Sequence, residues 1–461
     1  MYFFKKQANT ETSIKFLSSH LGDNFSKFFD KATLNCIAVE TGFKQRGSKL
    51  KPWMFIESLL FNCSNSKEAC LNDFTVDMIN RYNVGISKQG IDNRFNGSSI
   101  KMAKVLLTKM VNTFSQMHNV DEAFEQFRSI RIKDSTSFEL PENLAAIFPG
   151  NGGGSSKAGI RIQYEFDLKN NQTVEMDVSP ATTNDYTNAW DTKDSIIKGD
   201  LIIRDLGYSS LKMLNAIDKK EAYYLNRIKS DVSIFEQNGN EYKRIDLVQI
   251  ELSMRSSGIE IMEKQVYLGE RVYMPTRMII ALVPEDKIEE RIKKQRRKIE
   301  RRKGKISKQS FASIGINLFA TNANDILLPL KEVMNLYKIR WQIELVFKAW
   351  KTIGQIQMVK KAKQERVITM LYLNLVWIFM NMQLINGIAS IVFKLQKQKL
   401  SVFKAFKIIK MQKEKFQNTI TDKVKLTELI EKTFQTIAQK AVCENRKGRM
   451  KSSEIIREFS R

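Results

Sequence analysis

Tyr337, Arg340, Glu344 and Lys351 lie in the stretch YKIRWQIELVFKAWK, spaced three, four and seven residues apart. At about 100° per residue they fall within an arc of roughly 60° on one helix face. The other positions read as buried: Trp341, Ile343, Leu345, Val346, Phe347 and Trp350. A polar stripe on such a helix is costly unless its members pair or bind something charged. A carboxylate flanked by cations and a phenol suits a site that holds a divalent metal and a phosphate. A surface helix with a ladder of ion pairs, Arg340 to Glu344 for one, gives the same spacing. Two acids upstream, Asp134 and Asp205, favour the metal chemistry because they sit where it needs them.

The rest of the inventory leaves that work to carboxylates. The chain has two histidines, His20 and His118, too few for a His-rich zinc site or a recombinase site that includes His. Its four cysteines, Cys36, Cys63, Cys70 and Cys443, form no CxxC pair, so they read as reduced thiols and not as a zinc ribbon. Phosphodiester cleavage needs a deprotonated water or hydroxyl in line and charge relief on the leaving oxygen. Two magnesium ions about 3.5–4 Å apart supply both, and hard cations take oxygen ligands. Asp134, Asp205 and Glu344 are the candidate ligands, each expected at a strand end or on a helix face. Asp200 rivals Asp205, but it lies five residues earlier, at the start of the same strand, so it points to the other face. It reads as capping or solvating the strand's start.

These acids need elements to position them. SIRIKDSTSFELP reads as a first strand ending near Asp134-Ser135-Thr136, and IRIQYEFDL and TVEMDVSP complete an antiparallel meander. The loop FPGNGGGSSKAG between them lacks the Gly-Lys-Ser/Thr ending of a phosphate loop and reads as a surface turn. A helical stretch leads to a fourth strand, DLIIRD, which ends at Asp205; a helix over about 210–219 and a fifth strand, AYYLNRIK, follow. This order is that of a ribonuclease-H-like mixed sheet, in which the first and fourth strands are neighbours. The fold class is therefore α/β: a ribonuclease-H-like mixed-sheet core over 126–229 and 326–394, interrupted by a β-rich insertion over 230–325. Helical regions flank it at 1–125 and 395–461. The insertion reads as strands in DVSIFEQ, YKRIDLVQIELSM, KQVYLG and RVYMPTRMIIALV. A very basic helix ends it, with ten cations and one Glu in the fifteen residues RIKKQRRKIERRKGK. That run is either solvated or set against a DNA backbone.

The charge balance names the partner class. Lys plus Arg is 75 against 50 for Asp plus Glu, a net +25, which points to a polyanion. In the N-terminal region, residues 71–96 have a helix–turn–helix look. A first helix over Leu71–Tyr82 has Phe74, Val76, Met78 and Ile79 as apolar positions. Val84-Gly85 makes the turn, and a second helix runs to Phe95 with Ser87 as N-cap. Lys88, Gln89, Asp92 and Asn93 then face a groove, and Arg94 a phosphate. The start MYFFKKQANT lacks a signal-peptide pattern. The uncharged run Val367–Phe393 has the length to span a bilayer. Its Asn374, Asn381, Gln383, Asn386 and Gly387 fit a buried helix, or two, in a core better.

Taken together, these residues resemble a known family. Tyr337, Arg340, Glu344 and Lys351 match the Y-R-E-K signature of insertion-sequence transposases of the Tn-five-like, insertion-sequence-four family. Asp134 in KDST and Asp205 in IIRDLGY resemble that family's first and second catalytic aspartates. The resemblance covers roughly 70–355. It implies a DDE transposase in which Asp134, Asp205 and Glu344 coordinate two Mg2+ (or Mn2+) for strand nicking and strand transfer, with no covalent protein–DNA intermediate. It implies that Tyr337, Arg340 and Lys351 hold the DNA backbone near the transposon end. Trp341 either stacks on a displaced base or is a core tryptophan, and Lys348 is a further phosphate candidate. The implied partners are double-stranded DNA, as terminal inverted repeats and target, and a second copy of the chain on paired ends. No membrane or small-molecule substrate is implied, and the location is the bacterial cytoplasm, at the nucleoid. The rival readings are a ribonuclease-H-fold nuclease that cuts without joining, a non-catalytic DNA-binding derivative, and a membrane-associated basic protein.

Overall fold

Ile130 and Ile132 fall on one face of an alternating strand and Arg131 and Lys133 on the other, and all four are buried, so both faces of this strand are covered. In the computed structural model, which describes residues 2–62, 70–114, 125–153, 155–229, 232–302 and 314–443, it is β1 (Ser129–Leu140). β2 (Ala158–Asp167) and β3 (Gln172–Pro180) pair with it as an antiparallel meander. β4 (Asp200–Arg204) lies on the other side of β1 and parallel to it, and β5 (Tyr223–Arg227) is parallel to β4. The helices Asp185–Asp191 and Leu211–Asp218 lie in the two crossovers, the second capped by Ser210, whose side chain accepts from the Met213 N–H. The expected neighbourhood of first and fourth strands is therefore present.

The sequence expectation fails in two places, at the end of the first strand and at LVQIELSMRS. β1 does not end near Asp134 but runs on to Leu140, because β2 offers it an unbroken ladder from Arg131–Asp167 to Leu140–Ala158. Asp134 is thus mid-strand. The strands beyond β5 continue the sheet. β6 (Ile234–Asn238), β7 (Glu241–Arg244), β8 (Ile261–Leu268), β9 (Met274–Leu282) and β10 (Ile316–Thr321) extend the same sheet in the order β3-β2-β1-β4-β5-β10-β9-β8-β6-β7. Within this part, LVQIELSMRS is a helix and not a strand. Asp246 caps it by accepting from the N–H groups of Val248 and Gln249, and its buried Leu247 and Met254 lie seven apart, two helical turns. The basic helix is present as Glu285–Arg302, and the end of its charge run, from 303, lies outside the described residues.

The chain's helical ends close around one long helix, Gln364–Gln396. It is long and apolar enough to cross a membrane, but 83% of its most apolar window is buried inside the fold. Trp377 meets Phe61 and Phe416 edge-on, and Phe379 meets Phe114, so rings from both ends of the chain pack on it. Truncating one such ring typically costs about 3–5 kcal/mol. Two of the buried amides donate to backbone, Asn381 to the Trp377 carbonyl at 2.6 Å and Asn374 to that of Gly354 at 3.3 Å, while their own Oδ1 atoms accept no bond. Gly387 does not break the helix. A Cβ there would lie 2.6 Å from Leu17 Cδ1, so glycine admits the first helix, Tyr2–Phe29, at close range.

The helix–turn–helix-like segment has its first helix at Leu71–Tyr82, as expected. Asn83, left-handed at φ 51°, makes the turn in place of Val84-Gly85. Ser87 caps a second helix that is short, Lys88–Asp92. Val76 and Ile79 are exposed, at 45% and 52%, because Phe74, Thr75 and Met78 already form the buried stripe. Cys36, Cys70 and Cys443 are unpaired and exposed, while Cys63 and His118 lie outside the described residues.

Candidate active site

Asp134 shares the face of β1 that carries Ile130 and Ile132. On β4, Leu201 and Ile203 face the same way, and Asp205 is the next such position, just past the strand's end. The last β1–β4 pair is Lys133 with Arg204, so Asp205 comes level with Asp134, one strand spacing or about 4.8 Å to the side. The turn after β4 is held by the Tyr208 N–H donating to the Asp205 carbonyl at 3.0 Å, and by the buried Tyr208 hydroxyl donating to Gln163 Oε1 at 2.6 Å. A Cβ at Gly207 would sit 3.0 Å from Asp185 Oδ2, so the turn passes tightly over that carboxylate.

The third acid arrives on helices that do not form the single rod expected. One helix spans Leu330–Ile339 and a second spans Gln342–Thr352. Between them the backbone bonds shorten to three-residue steps, Arg340 to Tyr337 and Trp341 to Lys338, then Ile343 to Arg340 and Glu344 to Trp341. The 60° stripe of a straight helix is therefore lost, yet its side chains converge. The Tyr337 hydroxyl donates to Asp205 Oδ1 at 2.9 Å. Arg340 Nη1 donates to Asp134 Oδ2 at 2.7 Å and Nη2 to Glu344 Oε1 at 3.4 Å. The Glu344 side chain is 45% exposed, so its pair with Arg340 contributes at most about 1 kcal/mol. Asp134, at 20%, holds the guanidinium more firmly.

Burial pushes the Asp134 carboxyl up to about 6; the Ser135 N–H and Arg340 oppose this, while Asp205 and Glu344 add to it. Burial and the adjacent Asp205 also raise the Tyr337 phenol. For Arg340 burial works downward, but Asp205, Tyr337, Asp134 and Glu344 outweigh it, so its proton is held more tightly than usual. Three carboxylates and no nitrogen or sulfur donor make a set for a hard divalent cation. Among the described residues no three acids are grouped closely enough to hold an ion as they stand. Arg340 lies between Asp134 and Glu344 and bonds both.

Behind the acids, the opposite face of the sheet carries a buried ionic layer. Arg131 bonds Glu165 at 2.8 Å, and Lys133 bonds Glu175 at 2.7 Å. Burial works to raise Glu165, but Arg131, Lys133 and Arg204 outweigh it and hold it at about 2. Asp200 belongs to this layer. It does point away from the site, but it is fully buried and not solvated, accepting from Arg128 and Ser129 at 2.6 Å each. Asp185 accepts from Ser135, Arg161 and Gln163. These bonds fix the backbones that carry Asp134 and Asp205. In the sequence they look like the solvated half of an alternating strand, so no signal marked them.

The remaining candidates are dispersed. Lys351 donates to the Ser137 carbonyl at 3.0 Å, beyond the acids along β1, and burial lowers its pKa. Trp341 is 49% exposed and Leu345 36%, so neither is the core residue their helix pattern suggested; the break turns both outward. Lys348 is exposed, as are Lys88, Gln89 and Asn93 on and beside the short second helix. Asp92 pairs with Arg366 at 2.5 Å. Arg94 bonds Ser48.

Residues 125–380 match the family model described as a transposase DDE domain. The chain is 31% identical over 369 residues to the transposase for insertion sequence element IS231F of Bacillus thuringiensis subsp. israelensis, covering 77% of each. It is 32% identical over 341 residues to that for IS231B of Bacillus thuringiensis subsp. berliner, covering 70% of this chain and 71% of the relative. It is 27% identical over 406 residues to that for IS1151 of Clostridium perfringens, covering 84% and 85%. A cryo-EM structure of a piggyBac transposase synaptic complex with hairpin DNA aligns over 94% of this chain and 87% of that one. Its identity is 10% and its TM-score 0.45.

Proposed function

The chain belongs to the transposase DDE domain family, enzymes of metal-dependent DNA cleavage and strand transfer, and from that membership we propose that Asp134, Asp205 and Glu344 are its catalytic acids. One observation carries the assignment. Tyr337 and Arg340, on the helix pair that brings Glu344, bond directly to Asp205 and Asp134, so three elements meet at one point.

The five strands β3-β2-β1-β4-β5 are read as a ribonuclease-H-like core over 126–229 and 326–394. The segment 230–325 is its insertion, and 1–125 and 395–461 are its helical flanks. Asp134, Asp205 and Glu344 would ligate two Mg2+ or Mn2+, which supply an activated water or hydroxyl and charge relief on the leaving oxygen. Asp134 and Asp205, fixed by the ionic layer beneath them, define where the scissile phosphate must sit. Tyr337 holds Asp205 in one orientation. Arg340, released from Asp134 and Glu344, and Lys351, which has no acid partner among the described residues, then meet the phosphates beside the scissile bond. Exposed Trp341 offers a face for a displaced base, and Lys348 a further cation. Lys88, Gln89 and Asn93 would contact the element's end.

In hydrolysis the attacking water loses a proton, a P–O bond forms, and the P–O bond to the released 3′-hydroxyl breaks. In transfer that hydroxyl replaces the water. The substrates are double-stranded terminal inverted repeats and target DNA, held by a homodimer on paired ends in the bacterial cytoplasm, at the nucleoid.

The test is cleavage of a duplex carrying the element's own ends, with Mg2+, by the wild type, Asp205→Asn and Glu344→Gln. Cutting and joined products from the wild type alone are expected, with binding largely kept by both variants. Cutting by either variant overturns the assignment of that acid.

A further inference from the structure

The face that carries the acids continues across the sheet with a second set of charges. The last β4–β5 pair is Arg204 with Asn226, so Asp205 is level with Arg227 on β5. β10 pairs Phe319 with Arg227, and Asn317, two residues earlier, lies on the same face as Phe319. The Phe319 ring meets the ring of Tyr337, which bonds Asp205. Asp134, Asp205, Arg227 and Phe319 thus form one row over β1, β4, β5 and β10, and Asn317 lies on the same face two residues along β10 from it. Three strand spacings are about 14 Å, or about four base steps of duplex at 3.4 Å each.

Asn317 Oδ1 accepts from two guanidinium groups, Arg227 Nη2 and Arg291 Nη2, each at 2.8 Å. Arg291 also donates to the Ile314 carbonyl at 3.3 Å. Among the described residues neither arginine has a carboxylate partner. Burial, and then the nearby Arg227, make Arg291 a weaker base than usual. Two half-buried cations sharing one neutral acceptor call for an anion from outside. Arg291 stands on the basic helix Glu285–Arg302, which leaves β9 at the same edge of the sheet, since β9 ends at Leu282 opposite Ile316. Lys293, Arg296 and Arg297 on that helix are exposed, and its acids are Glu285 and Asp286 in the first turn and Glu289, Glu290 and Glu300 beyond it.

We propose that Arg227 and Arg291, bridged by Asn317, hold a backbone phosphate of the duplex beside the scissile bond, and that the exposed cations of the basic helix carry the contact further along that duplex. The inference rests on the transposase reading of the acid site and adds a sequence-independent DNA contact to it. Each such contact adds about 0.9 to the slope of log K against log salt concentration.

The experiment measures binding of the full chain to a duplex carrying the element's own ends, over a range of NaCl, with cleavage by the same preparation run alongside. Arg227→Gln with Arg291→Gln should flatten the slope by about 1.8. Arg291→Glu separates the roles. It should form an ion pair with Arg227 and raise the thermal midpoint while weakening DNA binding; a lower midpoint with unchanged binding would make Arg291 a structural anchor and overturn the proposal. Lys293→Gln, Arg296→Gln and Arg297→Gln, on an exposed face, keep the test open if the first variant misfolds, and should flatten the slope by up to about 2.7. Unchanged slopes with a wild type that binds and cleaves would sink this inference and leave the transposase reading standing. A wild type that binds no duplex would sink both.

Discussion

Asp134→Asn in metal-free protein separates the cost of the acid cluster from its use. In the fold the Asp134 carboxyl titrates at about 6, against 3.8 for an ordinary aspartate, with burial as the main cause. A raised carboxyl pKa means that the folded state binds more protons than the unfolded state between those values. Stability therefore falls as pH rises through that window and is level above it. The full shift corresponds to about 3 kcal/mol, of which roughly half develops between pH 5 and pH 7.5. Asparagine keeps the shape without the charge, so its stability relative to wild type should improve by that amount over the same interval. Denaturant unfolding of both proteins at the two pH values, with a chelator present, measures the difference. Added Mn2+ should then stabilise wild type more at pH 7.5 than at pH 5, and the Asn variant much less. A gap between the two proteins that does not change with pH would refute the argument that burial dominates at Asp134.

Tyr337→Phe removes the hydroxyl that orients Asp205. A hydrogen bond to a charged group contributes about 1.5–3 kcal/mol, so cleavage should slow by roughly ten- to a hundredfold while the ring's contact with Phe319 preserves the fold. Single-turnover cleavage rates with circular dichroism check both halves, and unchanged rates would remove Tyr337 from the site. Lys351→Ala should flatten the salt dependence of DNA binding by about 0.9 with or without a divalent ion. Arg340→Ala should do so only with Ca2+ present, because without it Asp134 and Glu344 occupy the guanidinium. Equal effects of Arg340→Ala in chelator and in Ca2+ would contradict that occupancy.

The chemistry was legible in residue types and local spacing. Tyr337, Arg340, Glu344 and Lys351 stand at helical intervals, and Asp134 and Asp205 stand on alternating strands, because side-chain chemistry and backbone period are both written locally. Scarce histidine and unpaired cysteine left carboxylates as the ligands, and the cation excess named a polyanion. The order of elements also implied that the first and fourth strands pair, as Ile132 with Ile203 does.

Tertiary contacts decided the rest. The break at Arg340-Trp341 turns Trp341 and Leu345 outward, and a helix-period pattern cannot register it because each residue there still has helical dihedrals. β1 passes Asp134 because β2 continues to pair with it, a non-local ladder invisible in β1 alone. Arg131, Lys133, Glu165 and Asp200 look like a wet strand face and become a dry ionic layer only when the Asp185–Asp191 crossover lies near them. Arg227, Arg291 and Asn317, 90 residues apart from first to last, carry no mutual sequence signal. Strand register brings Arg227 level with Asp205 and puts Asn317 on the same face, where it bonds Arg227 and, from the basic helix, Arg291.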